Sequence, residues 1–358
     1  MTRIRTSSIA WLVIGVLLIS TAAIIRWMVV PALTKLPADL NQSQRYEGTM
    51  SALNPQAFAA NDLANLMTPT LPITANRSLT VEATDGDTAI VTSNSTLTLP
   101  DGSTQQDVHS YAVNRVDYRP IRLSAEKRQA LVPPSVLNTF EDHEGIAFSF
   151  PMNPEKDGNL LYDSVTRSGQ QAKFINEGTL EGRDVYNYEV NAAGPIESPT
   201  VLAQFENFPP QLPKAVIAGL LGADIIPSNA RAILQDNLAS LPDTIDIGFG
   251  SSNDVRLAVD TQFGAPMDVE QIQSMYVTVP VNGTDVPVLP LSTVRMHTAD
   301  GEVANLAGDL SQNATLLTIL KVWLPAIMAI TGLLLVVLAC KRWRRPADKD
   351  SERYLAHV

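Results

Sequence analysis

Two long apolar runs bound the chain, and between them the pattern changes to a period of two. Ile9 to Ile25 is broken only by Gly15, Ser20 and Thr21, and Val322 to Cys340 carries no charge. At about 1.5 Å per residue these runs are roughly 26 and 28 Å long, close to a bilayer core of about 30 Å. They predict transmembrane helices over 9–30 and 321–340. From Asn76 onward the chain alternates: SLTVEAT, TAIVTSNSTLTL and HSYAVNRVDY are separated by Asp85-Gly86 and Asp101-Gly102. Later, MYVTVPV and VPVLPLSTVRMHT flank Asn282-Gly283, and Asp300-Gly301 follows. Such pairs mark hairpins because both turn residues accept positive φ. The expectation is an α+β, β-rich fold: a large antiparallel domain over 31–320, made of an early and a late meander, held by N- and C-terminal transmembrane helices.

Short helices interrupt the strands. Asn54-Pro55 reads as a cap for a helix over Gln56–Met67. Pro213–Leu241 reads as a helical insert broken at Pro227, preceded by the hinge-like FPPQLP. Its uncharged stretch, Ala215 to Ala223, is too short to span a membrane. It either packs against the sheet, lines a cavity or touches the bilayer. Near Gly308 a helical pattern resumes and runs through Ser311 and Ala314 into the second span, which would keep the domain close to the membrane.

The stretch HEGIAFSFPMNPEKDGNLLYD, His143–Asp163, reads as a strand, a proline-terminated edge, a turn at Asn153-Pro154 and a second strand ending at Tyr162. On a strand, Ile146, Phe148 and Phe150 share one face. That face belongs to the core or to a cavity wall. With Val216, Leu220 and Leu221 of the insert, these three are the candidate ligand contacts.

Composition sharpens the division. All four tryptophans, Trp11, Trp27, Trp323 and Trp343, lie at the ends, as interfacial anchors do. Arg3 and Arg5 precede the first run; Lys341, Arg342, Arg344 and Arg345 follow the second, which predicts a plasma-membrane protein with both termini (1–8 and 341–358) cytoplasmic. A cleaved signal peptide is the rival for the first run, but Arg26, Trp27 and Pro31 stand where small residues are needed for cleavage. Of 26 basic and 37 acidic residues, ten basic and three acidic lie in the end segments, leaving 16 and 34 between them, a net of −18. That surface repels nucleic acid. The single cysteine, Cys340, leaves the large domain without a disulfide, which suits a bacterial envelope.

Catalytic motifs are absent. No Gly-x-Ser-x-Gly elbow, His-Glu-x-x-His helix or Gly-Lys-Ser/Thr loop occurs, and His109, His143 and His297 stand apart. Glu141, Asp142 and Glu144 around His143 form the best metal or acid–base candidate, and they read as a solvated loop before a strand. Asp85-Gly86-Asp87 reads as a hairpin turn. The expectation is a protein without enzymatic activity, metal or cofactor.

Gly145-Ile146-Ala147-Phe148-Ser149-Phe150-Pro151, then Glu155-Lys156 and Tyr162-Asp163, resembles the actinobacterial porin PorA family. Glu177-Gly178-Thr179-Leu180-Glu181-Gly182 with Val185-Tyr186, and Val259-Asp260-Thr261 with Gly264 and Asp268-Val269, resemble two further segments of that family. Asn114-Arg115-Val116-Asp117 departs from its Asp-Arg-Arg segment, and an Asp-Gly run follows Lys156, marks of a divergent member. The resemblance implies two spans and one external domain. It further implies either a channel, as the porin label says, or an association with mycolate-containing glycolipids, trehalose monomycolate in particular, beside a lipid exporter or envelope-synthesis proteins. Physics favours the second. A membrane barrel needs strands with an apolar outer face, and neither apolar run has the polar stripe of a pore. The expected partners are membrane lipids or glycolipids; the ectodomain binds or passes them, and an enzyme of unknown reaction is the remaining alternative.

Overall fold

The structure is a computed structural model, and it describes residues 6–223 and 225–343. Arg3, Arg5, Arg344 and Arg345, on which the orientation partly rests, lie outside the described residues. The chain divides into two compact units: Leu36–Gly308, and the end segments up to Lys35 and from Asp309.

In the end segments, α1 (Thr6–Ile24) continues through a π turn, Ile25–Val29, into α2 (Val30–Leu33). The folded unit then begins with β1 (Asn41–Ala52), α3 (Pro55–Ala59), β2 (Leu71–Asp85), β3 (Thr88–Thr98), β4 (Thr104–Asn114) and α4 (Ala125–Leu131). Next come β5 (Leu160–Asp163), β6 (Ser168–Gln171), β7 (Lys173–Leu180), β8 (Arg183–Pro195) and α5 (Pro199–Ala203). After β9 (Gln211–Pro213) lie α6 (Lys214–Gly222), α7 (Ser228–Asn237) and β10 (Thr244–Asp246). The last strands are β11 (Gly248–Asp260), β12 (Pro266–Val281) and β13 (Thr284–Thr298); α8 (Glu302–Thr318), a π turn over Ile319–Trp323, and α9 (Leu324–Trp343) complete the chain.

Residues 8–33 and 302–343 form two helical stretches long and apolar enough to cross a membrane, and they fit a two-pass membrane protein. α1 and α9 pack at Gly15 and Gly332, where a Cβ on either would lie 2.6 Å from the other's carbonyl oxygen. Only glycine permits that approach. Arg342 sits 5.4 Å over the Trp11 ring at one end of the pair, the end that also carries Trp343. Trp27 and Trp323 are exposed on the two π turns, beside Arg26 and Lys321. The tryptophans thus separate into two pairs, one at each end of the helices.

The folded unit is built on one antiparallel sheet of nine strands, in the order β4-β3-β2-β1-β13-β12-β11-β8-β7. The two meanders expected from the turn pairs are both present. They join at a seam between β1 and β13, where Tyr46 faces Thr298 and Ala52 faces Ser292. Asn282 and Gly283 take φ of 51° and 79° at the β12–β13 turn, as the hairpin reading requires.

The helices follow the expected breaks. Asn54 Oδ1 accepts from the Gln56 and Ala57 amides, capping α3. The expected helix over Gln56–Met67 is shorter, however: Asn61 adopts φ 55°, and only a 3₁₀ turn over Leu63–Asn65 follows. The insert breaks around Pro227 into α6 and α7, as expected. Ile217, Leu220 and Leu234 are fully buried against Val277, Val279, Val286 and Leu289 of the β12–β13 hairpin.

Candidate functional site

The strand period of two puts one set of side chains from each meander on a common face. Gln42, Gln44 and Tyr46 of β1, Ala75 and Arg77 of β2, and Ser93, Ser95 and Leu97 of β3 line a cavity of about 420 Å³. Its wall continues through β4 on one side and through β13, β12 and β11 on the other. From β4 to β11 there are six strand spacings, about 29 Å if the sheet were flat, at about 4.8 Å each. A cavity of this size touches both only because the sheet curls around it. Its lining mixes apolar side chains, Met50, Leu97, Val269, Val294 and Met296, with carboxamides and hydroxyls such as Gln44, Ser95, Gln105, Asn253, Gln271 and Gln273.

A strap covers the open side. The segment expected to be a two-stranded hairpin over His143–Asp163 holds only one strand, β5, which pairs with β6. Ile146 makes an isolated parallel bridge with Leu161 instead, its amide donating to Leu160 O at 2.7 Å and its carbonyl accepting from Tyr162 N at 2.9 Å. Positive φ at Gly145 and Asn153, and prolines at 151 and 154, break the extended run. Its polar backbone is satisfied elsewhere. The Phe150 amide donates to Gly264 O at 3.0 Å and the Asn153 amide to Gln262 O at 3.1 Å, while Arg77 Nη2 donates to Ala147 O at 3.0 Å.

The turn that receives the strap is itself braced. Asp260 is 1% exposed; its Oδ1 accepts from the Gln262 and Phe263 amides and its Oδ2 from Arg183 Nε at 2.8 Å. Gly264 has φ 71°, and a Cβ there would overlap the carbonyl oxygens of Phe150 and Pro151. The Val-Asp-x-x-x-Gly segment is therefore the clamp for the strap.

Ile146, Phe148 and Phe150 all line the cavity, but they do not lie on a single strand face. Phe148 packs with Val91, Tyr111 and Val113 of the early meander. Ile146 and Phe150 pack with Tyr188, Leu257 and Val259 of the late strands, and Phe150 stacks on Tyr188 at 4.8 Å. The strap thus staples the two arms of the curled sheet. Leu220, Val216 and Leu221 belong to the packed core around the insert and are not part of the cavity wall.

Beside the strap's base lies a titratable cluster that the sequence reading missed. The histidines expected to stand apart do not: His109 and His143 both face the Tyr111 ring, at 6.1 and 4.8 Å. Nor is the acidic loop uniformly solvated, because His143 is buried and the Glu141 side chain is only 10% exposed, while Asp142 and Glu144 are exposed. His109 Nε2 lies 2.8 Å from Asp107 Oδ1 and its Nδ1 lies 2.9 Å from Glu141 Oε1; Glu141 Oε2 lies 3.1 Å from Arg167. Burial opposes charge on His109, but hydrogen bonds donated to the Asp107 and Glu141 carboxylates, together with their charges, outweigh it and push its pKa up to about 9. Burial drives His143 the other way, down to about 4 despite the nearby Glu141 and Asp142, and its Nε2 has no hydrogen-bond partner. The Tyr162 hydroxyl is pushed up, first by burial and then by the Glu141 charge. No group of three or more His, Cys, Asp or Glu side chains is arranged to hold a metal among the described residues.

The remaining wall residues were also missed, Arg77 foremost. A usable signal existed. β1 opens with Asn-Gln-Ser-Gln-Arg and β4 with Thr-Gln-Gln-Asp, consecutive polar residues that put polar side chains on both faces of a strand.

A family description, Porin PorA, matches residues 7–340. No curated protein matches the chain. Among solved structures, Rv2717c from M. tuberculosis is similar at 9% identity and a TM-score of 0.21, over 76% of this chain and 98% of that one. A MaoC-like dehydratase is similar at 13% identity and TM-score 0.12, over 71% and 75%. A putative thioesterase II from Thermobifida fusca follows at 9% and 0.12, over 72% and 80%. Likenesses this slight carry no argument.

Proposed function

The chain belongs to the porin PorA family, and we propose that it is a two-span envelope protein whose folded domain holds an amphiphile of the glycolipid type beneath the strap. The cavity carries this reading. Its volume of about 420 Å³ falls in the range of about 300–1,000 Å³ usual for small-ligand clefts. Its apolar side chains suit an acyl chain, each buried CH₂ contributing about 0.8 kcal/mol, and its carboxamides and hydroxyls suit a sugar or other polar head. In this reading both termini are cytoplasmic, the domain is outside the plasma membrane, and the protein passes lipid to or from an exporter or envelope-synthesis partner.

The protein acts by binding and not by covalent catalysis. Ser93 faces His109 across β3 and β4, as a nucleophile and base would. Yet both ring nitrogens of His109 face carboxylates, so the imidazole has no free nitrogen with which to take a proton from Ser93.

The test is to purify the full-length protein, extract it with organic solvent and identify bound lipid by mass spectrometry. The wild type should retain an acyl-bearing lipid that Leu97→Trp, which fills the cavity, loses. Equal retention by both, or only bulk membrane lipid in both, would sink the reading. The family's description favours a second reading, a channel. The sheet is open between β4 and β7, whereas membrane barrels are closed, so conduction would require the helices of several copies. Steps of conductance in planar bilayers from the purified protein would favour it.

A further inference from the structure

Two charged groups of the cavity wall, Arg77 and Asp163, have only neutral partners beside them. Arg77 stands in β2, in register with Gln44 of β1 and Ser95 of β3. Its Nε donates to Ser93 Oγ at 2.9 Å and its Nη2 to Ala147 O at 3.0 Å, and the Tyr46 hydroxyl is a further close neighbour. All three are neutral, and among the described residues no carboxylate pairs with Arg77.

The other ionisable side chains of the wall are engaged. His109 lies between Asp107 and Glu141, and Glu141 also meets Arg167, so that group balances to neutrality. Asp163 is buried and accepts from Thr166 N at 2.8 Å, Thr166 Oγ1 at 2.7 Å and Asn253 Nδ2 at 3.0 Å. Three donors occupy most of that carboxylate's roughly four acceptor sites. A guanidinium has five N–H donors in a planar fork, and its contacts here leave donors unspent. Next to it, Gln44 Oε1 accepts from the Tyr46 hydroxyl at 2.9 Å, while Gln44 Nε2 is buried without an acceptor. Donors are in surplus at this corner of the cavity.

We propose that the cavity's ligand carries an anionic group, a carboxylate or a phosphate, and that Arg77 is the residue that selects it. The proposal rests on the amphiphile reading above and adds the charge of the head. Once an acyl chain has displaced water from the cavity, the Arg77 charge lies in a poorly screened setting where an anion is strongly preferred to a neutral head. The net negative charge of the domain does not cancel this. Its exposed charges are screened over about 8 Å at physiological salt, whereas contact pairing inside the cavity is not.

The experiment uses the full-length protein in nanodiscs of zwitterionic phospholipid, with a diazirine-bearing long-chain alcohol as the photoprobe. Labelling of the strap peptide is competed with palmitate, palmitoyl lysophosphatidate, methyl palmitate and hexadecyl maltoside. Palmitate or lysophosphatidate should compete at least tenfold more tightly than the two neutral amphiphiles, and the tighter of the two identifies the head as carboxylate or phosphate. Arg77→Gln should bring the anionic competitors down to the neutral level without changing the neutral ones, and Arg77→Lys should restore part of the preference. Equal competition by neutral and anionic amphiphiles in the wild type would overturn the proposal while leaving the cavity reading intact. So would a preference that survives Arg77→Gln. If no amphiphile protects the strap peptide, the cavity reading itself fails. The wild-type comparison decides the matter even if Arg77→Gln proves unstable.

Discussion

The two ends of one sheet face meet opposite fates. Along β12, Val269, Gln271, Gln273 and Met275 face the cavity, whereas Val277, Val279 and Val281 are buried under α6 and α7. The change occurs at Met275–Thr278, where the register with β13 shifts twice. On one side, aliphatic side chains are fully covered by the insert. On the other, valine, glutamine and methionine side chains share the face, and the strap and α5 line the cavity opposite them. The lesson is that the most apolar segment of the domain is a plug. The binding surface is the part of the face left mixed in polarity, because a purely aliphatic surface would have been covered.

Substitutions should separate the two ends. The largest effect is expected at the plug: Leu220→Ala should cost about 2–5 kcal/mol, as buried leucine truncations do, measured by denaturant unfolding of the full-length protein. Met296→Ala at the open end removes a side chain that is already half-exposed, and should cost less than about 1 kcal/mol by the same measurement. Equal costs would dissolve the distinction.

Next in size is the clamp. Gly264→Val places a branched side chain at φ 71° against two carbonyl oxygens, which should add about 1–3 kcal/mol of strain. The expected outcome is faster proteolysis within residues 145–158 and loss of bound amphiphile, with α6 and α7 as protected as in the wild type. Uniform loss of protection would show that strap and plug open as one.

Acidity gives a smaller, graded effect. His109 is held at about 9, above its ordinary value of 6.5, so its contribution is complete below pH 6.5 and is lost as pH rises toward 9. His143 is held at about 4, so its neutral form favours the closed strap above pH 6.5, and that contribution is lost as pH falls toward 4. Exchange protection of the Ile146 and Tyr162 amides should therefore be greatest near pH 6.5, and His109→Gln should flatten the alkaline side. A flat profile in the wild type would exclude the cluster as a brace for the strap. The smallest effect is expected at Lys156, whose exposed pairing with Glu177 should leave Tm unchanged on Lys156→Gln.

What was legible in the sequence is what depends on neighbours in the chain. The Asp-Gly and Asn-Gly turns, the break around Pro227 and the apolar terminal helices each follow from a few adjacent residues. The strap was misread because alternation of Ile146, Phe148 and Phe150 looks the same whether the partner is a strand beside it or two walls on either side. Contacts with Gly264 and Arg77, 115 and 70 positions away, decide which. The pairing of His109 with Glu141 was invisible for the same reason, since a solvated acidic loop and a buried brace share a composition.

The seam between β1 and β13 has a consequence for how the domain comes into being. Tyr46 waits for Thr298, 252 positions later, and closing a loop of that length costs about 5 kcal/mol in chain entropy before any pairing compensates. During synthesis β1, though it can pair with β2 on one side, therefore remains an edge strand, with its other row of hydrogen-bonding groups available to any passing strand until nearly the whole domain has been made. Biogenesis, more than the finished fold, is where this chain is most exposed to aggregation, and the second apolar helix follows directly on the strand that ends the exposure.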